Sequence, residues 1–397
     1  MKKQFLDLGK QPIANGFLTS DDQSDECFFD LKVGFDNETK LVSLMEFVEL
    51  DKMFNDDYAY RASMSNTMRE HFRGASKEFL KQFNPKNVLE IGSNDGVFLK
   101  NFSNTNAIAV EPCGNFSKIT NEMGYKTYNK FWDLNLAKQI LEDDGKRDLI
   151  FSANCICHIP ELEECFEAIS KVLSPEGVFI FEDPSLEKMI ERVSYDQIYD
   201  EHAHVFSVTA LNNILNKFSL SIFKVEELSV HGGSNRIYVC HAGERSIDDS
   251  VCNSLDRERL AGLDNFDTYV NFAKEVEASK NNLIETLTKY KQQNKRIVSY
   301  GATSKSTTVF NYCDIGIDLI DYIVDTTPSK QGKLSPGKHI PIFSPKKFDE
   351  GVDVAFLGAW NFVDEICKKE KNFLDKGGIF VSHIREVKNN ERIKRNR

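Results

Sequence analysis

Near the middle of the chain, Ile198-Tyr-Asp-Glu-His-Ala-His-Val-Phe-Ser207 packs a phenol, two carboxylates and two imidazoles into one short run. These are the side chains that move protons near neutral pH, imidazole by its own titration and the others when their surroundings retune them. The run lies between two stretches that read as cofactor-binding α/β folds, where a reacting substrate would sit. The plain alternative is an ordinary polar loop.

Two further motifs carry chemistry. In Glu90-Ile-Gly-Ser-Asn-Asp-Gly96 the glycines let backbone approach a ligand, and Glu111, ending the next strand, can accept both hydroxyls of a ribose. The G-x-x-x-G spacing departs from the dinucleotide fingerprint G-x-G-x-x-G. An acidic residue inside the motif suits a cationic sulfonium better than a pyrophosphate, which favours S-adenosylmethionine over a nicotinamide. Later, Gly301-Ala-Thr-Ser-Lys-Ser306 at a strand-to-helix turn offers backbone N–H groups, hydroxyls and Lys305 to an anion. It lacks Walker spacing, which argues against nucleotide triphosphate hydrolysis; a plain helix cap is the alternative.

The elements around these motifs follow from periodicity. Residues 1–75 show no clear period, with a turn-rich Gln11–Gly16, strands within Lys40–Val48, and a strand face shared by Tyr58 and Tyr60. A helix over Asn66–Phe83 follows. From Lys86 strands and helices alternate: strands at 87–92, 106–111, 126–129, 148–153 and 177–182, helices at 97–102, 115–123, 133–141 and 161–173. This is a parallel sheet wound on both faces, with ligands at the carboxyl ends of its strands. After a helix over 208–218, strands 220–227 and 235–241 have no helix between them and must pair antiparallel. A parallel sheet closed by an antiparallel hairpin matches the seven-stranded methyltransferase sheet. Residues 246–293, with a long helix from Asn265 to Gln293, are read as linking the domains. A second, smaller α/β sheet then starts at Lys295.

Composition bounds the rest. The 397 residues allow two or three domains, and 41% hydrophobic with 28% charged residues is ordinary for a soluble globular protein. A net charge of −11 argues against nucleic acid as partner, and the basic run Arg392–Arg397 reads as a solvated tail. No stretch approaches a membrane span, and the N-terminus has no secretory core. The nine cysteines are scattered and odd in number, a cytoplasmic pattern of free thiols; Cys155-Ile-Cys157 has the wrong spacing for a redox pair.

Taken together, the motifs resemble the sugar-nucleotide C-methyltransferases of deoxysugar biosynthesis, which methylate C3 of a nucleoside-diphospho 4-keto-6-deoxyhexose. The resemblance runs nearly end to end. It takes in Pro12-Ile-Ala-Asn15, Tyr58-Ala-Tyr60 with His71, Leu89–Gly96, Val110-Glu-Pro112, Asn154 with His158, Tyr199-Asp-Glu-His202 with Phe206-Ser207, and His231–Arg236. In the last domain it includes Gly301–Lys305, Val324-Asp325, Pro336-Gly337 and Trp360-Asn361.

The resemblance implies a fold in three parts: an N-terminal β-containing module (1–75), a class I methyltransferase domain (76–245) and a C-terminal Rossmann-like α/β domain (246–397) that helps to bind the nucleotide sugar. Glu90, Gly92, Asn94, Asp95, Glu111 and Asn154 would hold S-adenosylmethionine. Tyr60, Tyr199, Glu201 and His202 would line the reaction centre, with His202 as the base that removes the proton next to the ketone. Glu201 would orient it or the substrate, and Tyr199 or Tyr60 would donate to the oxyanion. His231, Arg236, Gly301, Ser304 and Lys305 would meet the nucleotide sugar. Asp200 and His204 receive no role.

The sequence departs from the family in two respects: the turn Gly301–Ser306 is more polar than the Gly-Ala-Pro-Ala-Lys-Gly form expected there, and the zinc cysteines are missing. The N-terminal module usually carries two cysteine pairs for a structural zinc, and here only Cys27 falls in that region, with no histidine before His71. One thiolate does not build a closed tetrahedral site, so neither zinc nor any other metal is expected. Methyl transfer to oxygen or nitrogen of an activated sugar is the rival activity, and a catalytically dead scaffold the rival class. Oligomeric state is not legible.

Overall fold

The computed structural model describes residues 2–19 and 26–384; the basic run Arg392–Arg397 lies outside them. The chain opens on β1 (Lys2–Pro12), β2 (Phe28–Asp36) and β3 (Val42–Leu44), paired antiparallel in that order. Leu31, Val33 and Phe35 alternate onto the buried face of β2, as a half-buried strand requires. β1 escaped sequence reading because its alternation is broken by register shifts on both sides of Leu6–Asp7 and by Gly9 at φ +71°.

The helix Phe266–Gln292, capped by the Asn265 side chain, does more than link domains. Its Tyr269, Phe272 and Val276 close the core formed by Leu6, Leu8, Leu31, Val33 and Phe35. The Tyr269 ring lies 4.6 Å from that of Phe35 and 5.1 Å from that of Phe5. The preceding helix, Asp249–Leu260, turns the buried Glu258 carboxylate onto the free N–H groups of Val208 and Thr209, at 2.7 and 2.8 Å. A carboxylate at a helix N-terminus satisfies donors that have no partner within the helix.

The central sheet is built from β4 (Asn87–Ile91), β5 (Asn106–Val110), β6 (Lys126–Tyr128), β7 (Arg147–Ala153) and β8 (Leu173–Pro184). The chain then leaves this sheet. A two-residue strand, β9 (His204–Val205), pairs with β3 and becomes the fourth strand of the N-terminal sheet. β10 (Leu220–Leu228) and β11 (Ser234–His241) return to the central sheet. Its order is β10-β11-β8-β7-β4-β5-β6, with β11 antiparallel to both neighbours and the other pairs parallel. This is the class I methyltransferase sheet that the hairpin pattern predicts. Leu89, Ile150 and Phe179 are fully buried, as strands covered on both faces must be.

A third, all-parallel sheet follows: β12 (Ile297–Tyr300), β13 (Ile323–Val324), β14 (Ile342–Phe343), β15 (Val354–Leu357) and β16 (Ile379–Val381), in the order β14-β13-β12-β15-β16. β13 is only two residues long. Trp360, after β15, locks this sheet to the methyltransferase domain: its indole N–H donates to the buried Asp196 carboxylate at 2.5 Å. Its ring lies so close to Gly232 that a Cβ there would collide with it.

The sequence reading of Tyr58 and Tyr60 as a strand is corrected. Residues 58–61 have no regular structure and, with the 3₁₀ turn Ala62–Met64, form a strap across the carboxyl ends of the central strands. Beyond it the helix Asn66–Phe83 starts where Ser65 accepts from the Met68 N–H.

Candidate active site

At the carboxyl ends of β4, β5 and β7 a cavity encloses about 1000 Å³, its open mouth included. Glu90, Gly92, Asn94, Glu111 and Asn154 line it, together with Tyr58, Tyr60, Trp132 and His158. Gly92, at φ +74°, has to be glycine: a Cβ would lie 2.6 Å from the Cys155 sulfur. Asn94 and Asn154 also hold left-handed backbone, both at φ +49°.

The carboxylates of this cavity lack a counter-charge. Glu111 accepts from the N–H groups of Asn94 (2.7 Å) and Cys113 (2.9 Å), but one oxygen of Glu90 is buried without any hydrogen-bond partner. Burial, and then the neighbouring charge of Glu111, drives the Glu90 carboxyl well above its usual range. None of Glu90, Asp95 and Glu111 has an ion pair to a basic side chain among the described residues. An orphaned buried acid in a cavity of this size fits a ligand that carries positive charge, as S-adenosylmethionine does at its sulfonium and its ammonium. The residues present therefore fit that cofactor.

Asp95 departs from the expected set. It does not line the cavity; its carboxylate accepts from the Ser63 N–H at 3.3 Å and the Ser63 hydroxyl at 2.5 Å. Asn94 adds a bond from the Ala62 N–H and one to the Tyr60 carbonyl, each 3.0 Å. The cofactor loop thus pins the strap, and the strap presents Tyr58 and Tyr60 to the cavity. Tyr60 keeps 42% of its surface exposed.

Behind the strap lie the residues of the histidine-rich run. Glu201 and His202 are buried, and Tyr199 nearly so. Nδ1 of His202 is 2.6 Å from the Gln197 carbonyl, which only accepts, so this nitrogen carries the proton and Nε2 presents a lone pair. The Tyr199 hydroxyl donates to that Nε2 at 2.8 Å. Burial above all, then the charges of its neighbours, pushes the His202 imidazole well below its usual value. The ring is therefore neutral at neutral pH and does not titrate close to it, which corrects the simple expectation for an unperturbed histidine. The His158 ring, its own value lowered to about 3 by burial, stacks on His202 at 5.3 Å and connects it to the cavity.

Glu201 is held from two directions. The Asn15 side chain donates to one carboxylate oxygen at 2.5 Å, and the Tyr58 hydroxyl to the other at 2.8 Å. Next to it, Asp200 accepts from the Ala14 N–H at 3.0 Å. The Thr307 hydroxyl, on the helix Ser304–Tyr312, donates to the Ala14 carbonyl at 3.0 Å. A loop of the N-terminal module is thus clamped between the reactive run and the third sheet. His204 sits in β9 and bonds the carbonyls of Ile159 and Pro160 at 3.1 and 3.2 Å. Asp200 and His204 therefore act as anchors of the run, a role that the sequence motif did not reveal.

On the far side stands Lys305. Burial lowers its ammonium from the ordinary value, against the opposing pull of the Asp196 and Glu201 charges, and it makes no hydrogen bond or ion pair among the described residues. His231, at φ +54° with a buried and unpartnered Nε2, is lowered to about 3 by burial and then by Lys305. These two lie close enough for the lysine charge to act on the imidazole. Arg236 does not join them. It pairs across strands with Glu182 at 2.7 Å, reaches Glu226 at 3.0 Å, and leaves Glu182 shared with His71 at 2.6 Å. Gly301 serves packing, since a Cβ there would press on Ala359. The Thr303 and Ser306 hydroxyls form a capping box, so of the polar turn the N–H groups of Ser304 and Lys305 and the lysine ammonium remain for a ligand.

Sequence reasoning missed Asn15, Gln197 and Lys330 and left Tyr58 between rim packing and a substrate-facing role. The Lys330 ammonium bonds the Ala302 carbonyl at 2.8 Å and feels the charge of Glu201. Asn15 and Tyr58 were both in quoted motifs, but nothing in a motif says that two side chains meet on one carboxylate.

Fold and cavity define a class I methyltransferase dependent on S-adenosylmethionine, and comparison with known proteins narrows this. The model described as "Methyltransferase domain" matches residues 60–225, "C-methyltransferase C-terminal domain" matches 229–384, and "Putative zinc binding domain" matches 1–54. The chain is 30% identical over 389 residues to the C-methyltransferase NovU of Streptomyces niveus, covering 96% of this chain and 92% of that one. It belongs to the C-methyltransferase family. Among solved structures, an S-adenosylmethionine-dependent methyltransferase from Clostridium acetobutylicum is 18% identical, with a TM-score of 0.36 over 44% of this chain and 92% of its own. The magnesium protoporphyrin IX methyltransferase of Synechocystis is 10% identical, with a TM-score of 0.34 over 44% and 79%. Residues 1–54 match a zinc module yet contain one cysteine and no histidine, so they do not supply the thiolate and imidazole set of a structural zinc site.

Proposed function

We propose that this methyltransferase alkylates a carbon next to the ketone of a nucleotide-linked sugar, most specifically C3 of a nucleoside-diphospho 4-keto-6-deoxyhexose. The observation that carries the reading is the Tyr199–His202 pair. A carbon acid needs a base at its α-hydrogen and a donor at the adjacent carbonyl oxygen. A phenol and an imidazole lone pair 2.8 Å apart are spaced on the scale of those two substrate atoms.

In this reading the substrate displaces the phenol from Nε2. The lone pair of His202 takes the α-proton, and Tyr199 turns its hydroxyl to the developing enolate oxygen. The Gln197 carbonyl holds the proton on Nδ1, which fixes the tautomer and steadies the imidazolium that forms. A depressed imidazole is a weak base, so stabilising the enolate carries more of the work. Glu201, fixed by Asn15 and Tyr58, orients a substrate hydroxyl. Lys305, with the Ser304 and Lys305 N–H groups and His231, faces the diphosphate. S-adenosylmethionine, when bound, supplies an electrophilic methyl group on its sulfonium. Glu90, Gly92, Asn94, Glu111 and Asn154 hold it, and Asp95 acts through the strap.

The test is hydrogen exchange. Enzyme, S-adenosylhomocysteine and a keto-sugar nucleotide in deuterated water should show deuterium at the carbon next to the ketone, and none with the His202→Asn variant. Methylated product without any exchange would remove the carbon mechanism and leave transfer to oxygen or nitrogen.

A further inference from the structure

Beneath the reactive pair lies a cluster that methyl transfer does not require. Cys157 and His158 occupy consecutive positions of the short 3₁₀ turn after β7, and their ligand atoms lie within 4.8 Å of each other and of a ring nitrogen of His202. The Nε2 atom of His158 is buried and has no hydrogen-bond partner. The Tyr199 hydroxyl, which donates to Nε2 of His202 at 2.8 Å, would give up that lone pair to an ion.

We propose that Cys157, His158 and His202, with water in the fourth position, form a four-coordinate site for a thiophilic divalent cation of the zinc type, and that occupying it stops methyl transfer. Sulfur with two imidazoles is the donor chemistry that selects zinc over the oxygen-seeking magnesium and calcium. With metal–nitrogen bonds of about 2.0 Å and metal–sulfur bonds of about 2.3 Å, the edges of a tetrahedron are roughly 3.3–3.6 Å. Closing the trio onto an ion therefore asks for a contraction of at most about 1.5 Å at its widest pair, within reach of side-chain rotation.

The outer shell is already in place. His202 gives its Nδ1 hydrogen to the Gln197 carbonyl, the usual partner of a metal-bound imidazole. The Asp183 carboxyl stands beside the Cys157 thiol. His158 lines the cavity, which gives an ion a way in. On binding, Cys157 coordinates as thiolate and its proton leaves to water through the cavity, so the cation replaces a proton and no electron changes hands. This site is distinct from the zinc module suggested for residues 1–54. The inhibition, though not the binding, rests on the reading that His202 and Tyr199 carry the reaction.

The experiment uses full-length protein, stripped with a chelator and titrated with cobalt(II) as the optical probe. A thiolate-to-cobalt charge-transfer band, with visible bands of four-coordinate intensity, should saturate at one equivalent and be displaced by zinc. Zinc over the same range should abolish methyl transfer. The Cys157→Ser variant should keep methyl transfer, lose the band and need at least about tenfold more zinc for half-inhibition. Cys27→Ser should change neither. If Cys157→Ser does not fold, as judged by circular dichroism, Cys157→Ala serves the same comparison. No band, a band that survives Cys157→Ser, or unchanged zinc sensitivity in that variant overturns the site. A band that saturates while methyl transfer continues would uphold the site, overturn the inhibition, and count against His202 as the base.

Discussion

Replacing Tyr199 with phenylalanine separates two ways of using the Tyr199–His202 pair. The substitution removes one oxygen, 2.8 Å from the lone pair of His202, and leaves the ring in place. If the hydroxyl only steadies the imidazole, its loss is that of one neutral buried hydrogen bond, about 1 kcal/mol or roughly fivefold in rate. If it donates to the enolate oxygen, its loss is that of an oxyanion donor, about 3–4 kcal/mol or roughly 10²–10³ in kcat. Burial, and then the nearby charge of Glu201, holds the phenol well above its usual value, so it carries its proton throughout the working range and is a donor. We therefore expect Tyr199→Phe to lose at least about a hundredfold in single-turnover methyl transfer and in deuterium wash-in together. If both residues serve one proton transfer, as proposed, the double variant with His202→Asn should be hardly slower than the worse single one. A loss below about tenfold in both assays would refute the assignment of Tyr199 to the enolate oxygen. Losses that multiply in the double variant would refute the shared step.

His202 is depressed well below 6.5 in the folded state, so it stays neutral and basic as pH falls through 6.5, and the acid limb of kcat/KM for exchange should lie below that value. A half-point at or above pH 6.5 would contradict the buried, neutral ring. Gly92→Ala sets a Cβ 2.6 Å from the Cys155 sulfur at φ +74°, which costs at least about 1–2 kcal/mol in backbone strain alone. Calorimetry should show S-adenosylmethionine binding weakened about tenfold or more, and unchanged affinity would mean that the loop yields. Asn15→Ala leaves one Glu201 oxygen without its 2.5 Å donor and should lower kcat about tenfold while cofactor affinity stays constant. Finally, since residues 1–54 hold one cysteine and no histidine, a chelator should leave the thermal midpoint of the Cys157→Ser variant unchanged; a drop with release of stoichiometric zinc from that variant would disprove this.

The central sheet was the most legible part, because strands buried on both faces and helices with one apolar stripe leave strong periodic signals. The missing helix between β10 and β11 alone placed the antiparallel hairpin. β1 was hidden by its bulges and by Gly9. Tyr58 and Tyr60 kept the spacing of a strand face but lie in a strap, because Asn94 and Asp95 take up the strap's backbone N–H and C=O groups instead of a neighbouring strand. At the site, residue types within one motif were readable: Glu90, Gly92 and Glu111 face one cavity, and Tyr199 meets His202 three positions on. Contacts over long separations were not. Asn15 reaches Glu201 across 186 positions and Trp360 reaches Asp196 across 164. Arg236 shows the opposite error, a basic residue in a striking motif that turns out to neutralise a carboxylate of its own sheet.

The two-residue strand β9 bears on how such proteins can be recombined. A natural cut for building chimeras between relatives would fall after residue 54, where one domain match ends. That cut separates β3 from the strand that completes its sheet, and Ala14 and Asn15 from the carboxylates they hold. The unit that can be exchanged is therefore discontinuous: the first module travels only with the Tyr199–Ser207 run, nearly 150 residues downstream. Grafted alone, a module from a relative would arrive with its own Asn15 equivalent and meet a foreign Glu201 loop. The first module and the Tyr199–Ser207 run are thus inherited as one piece.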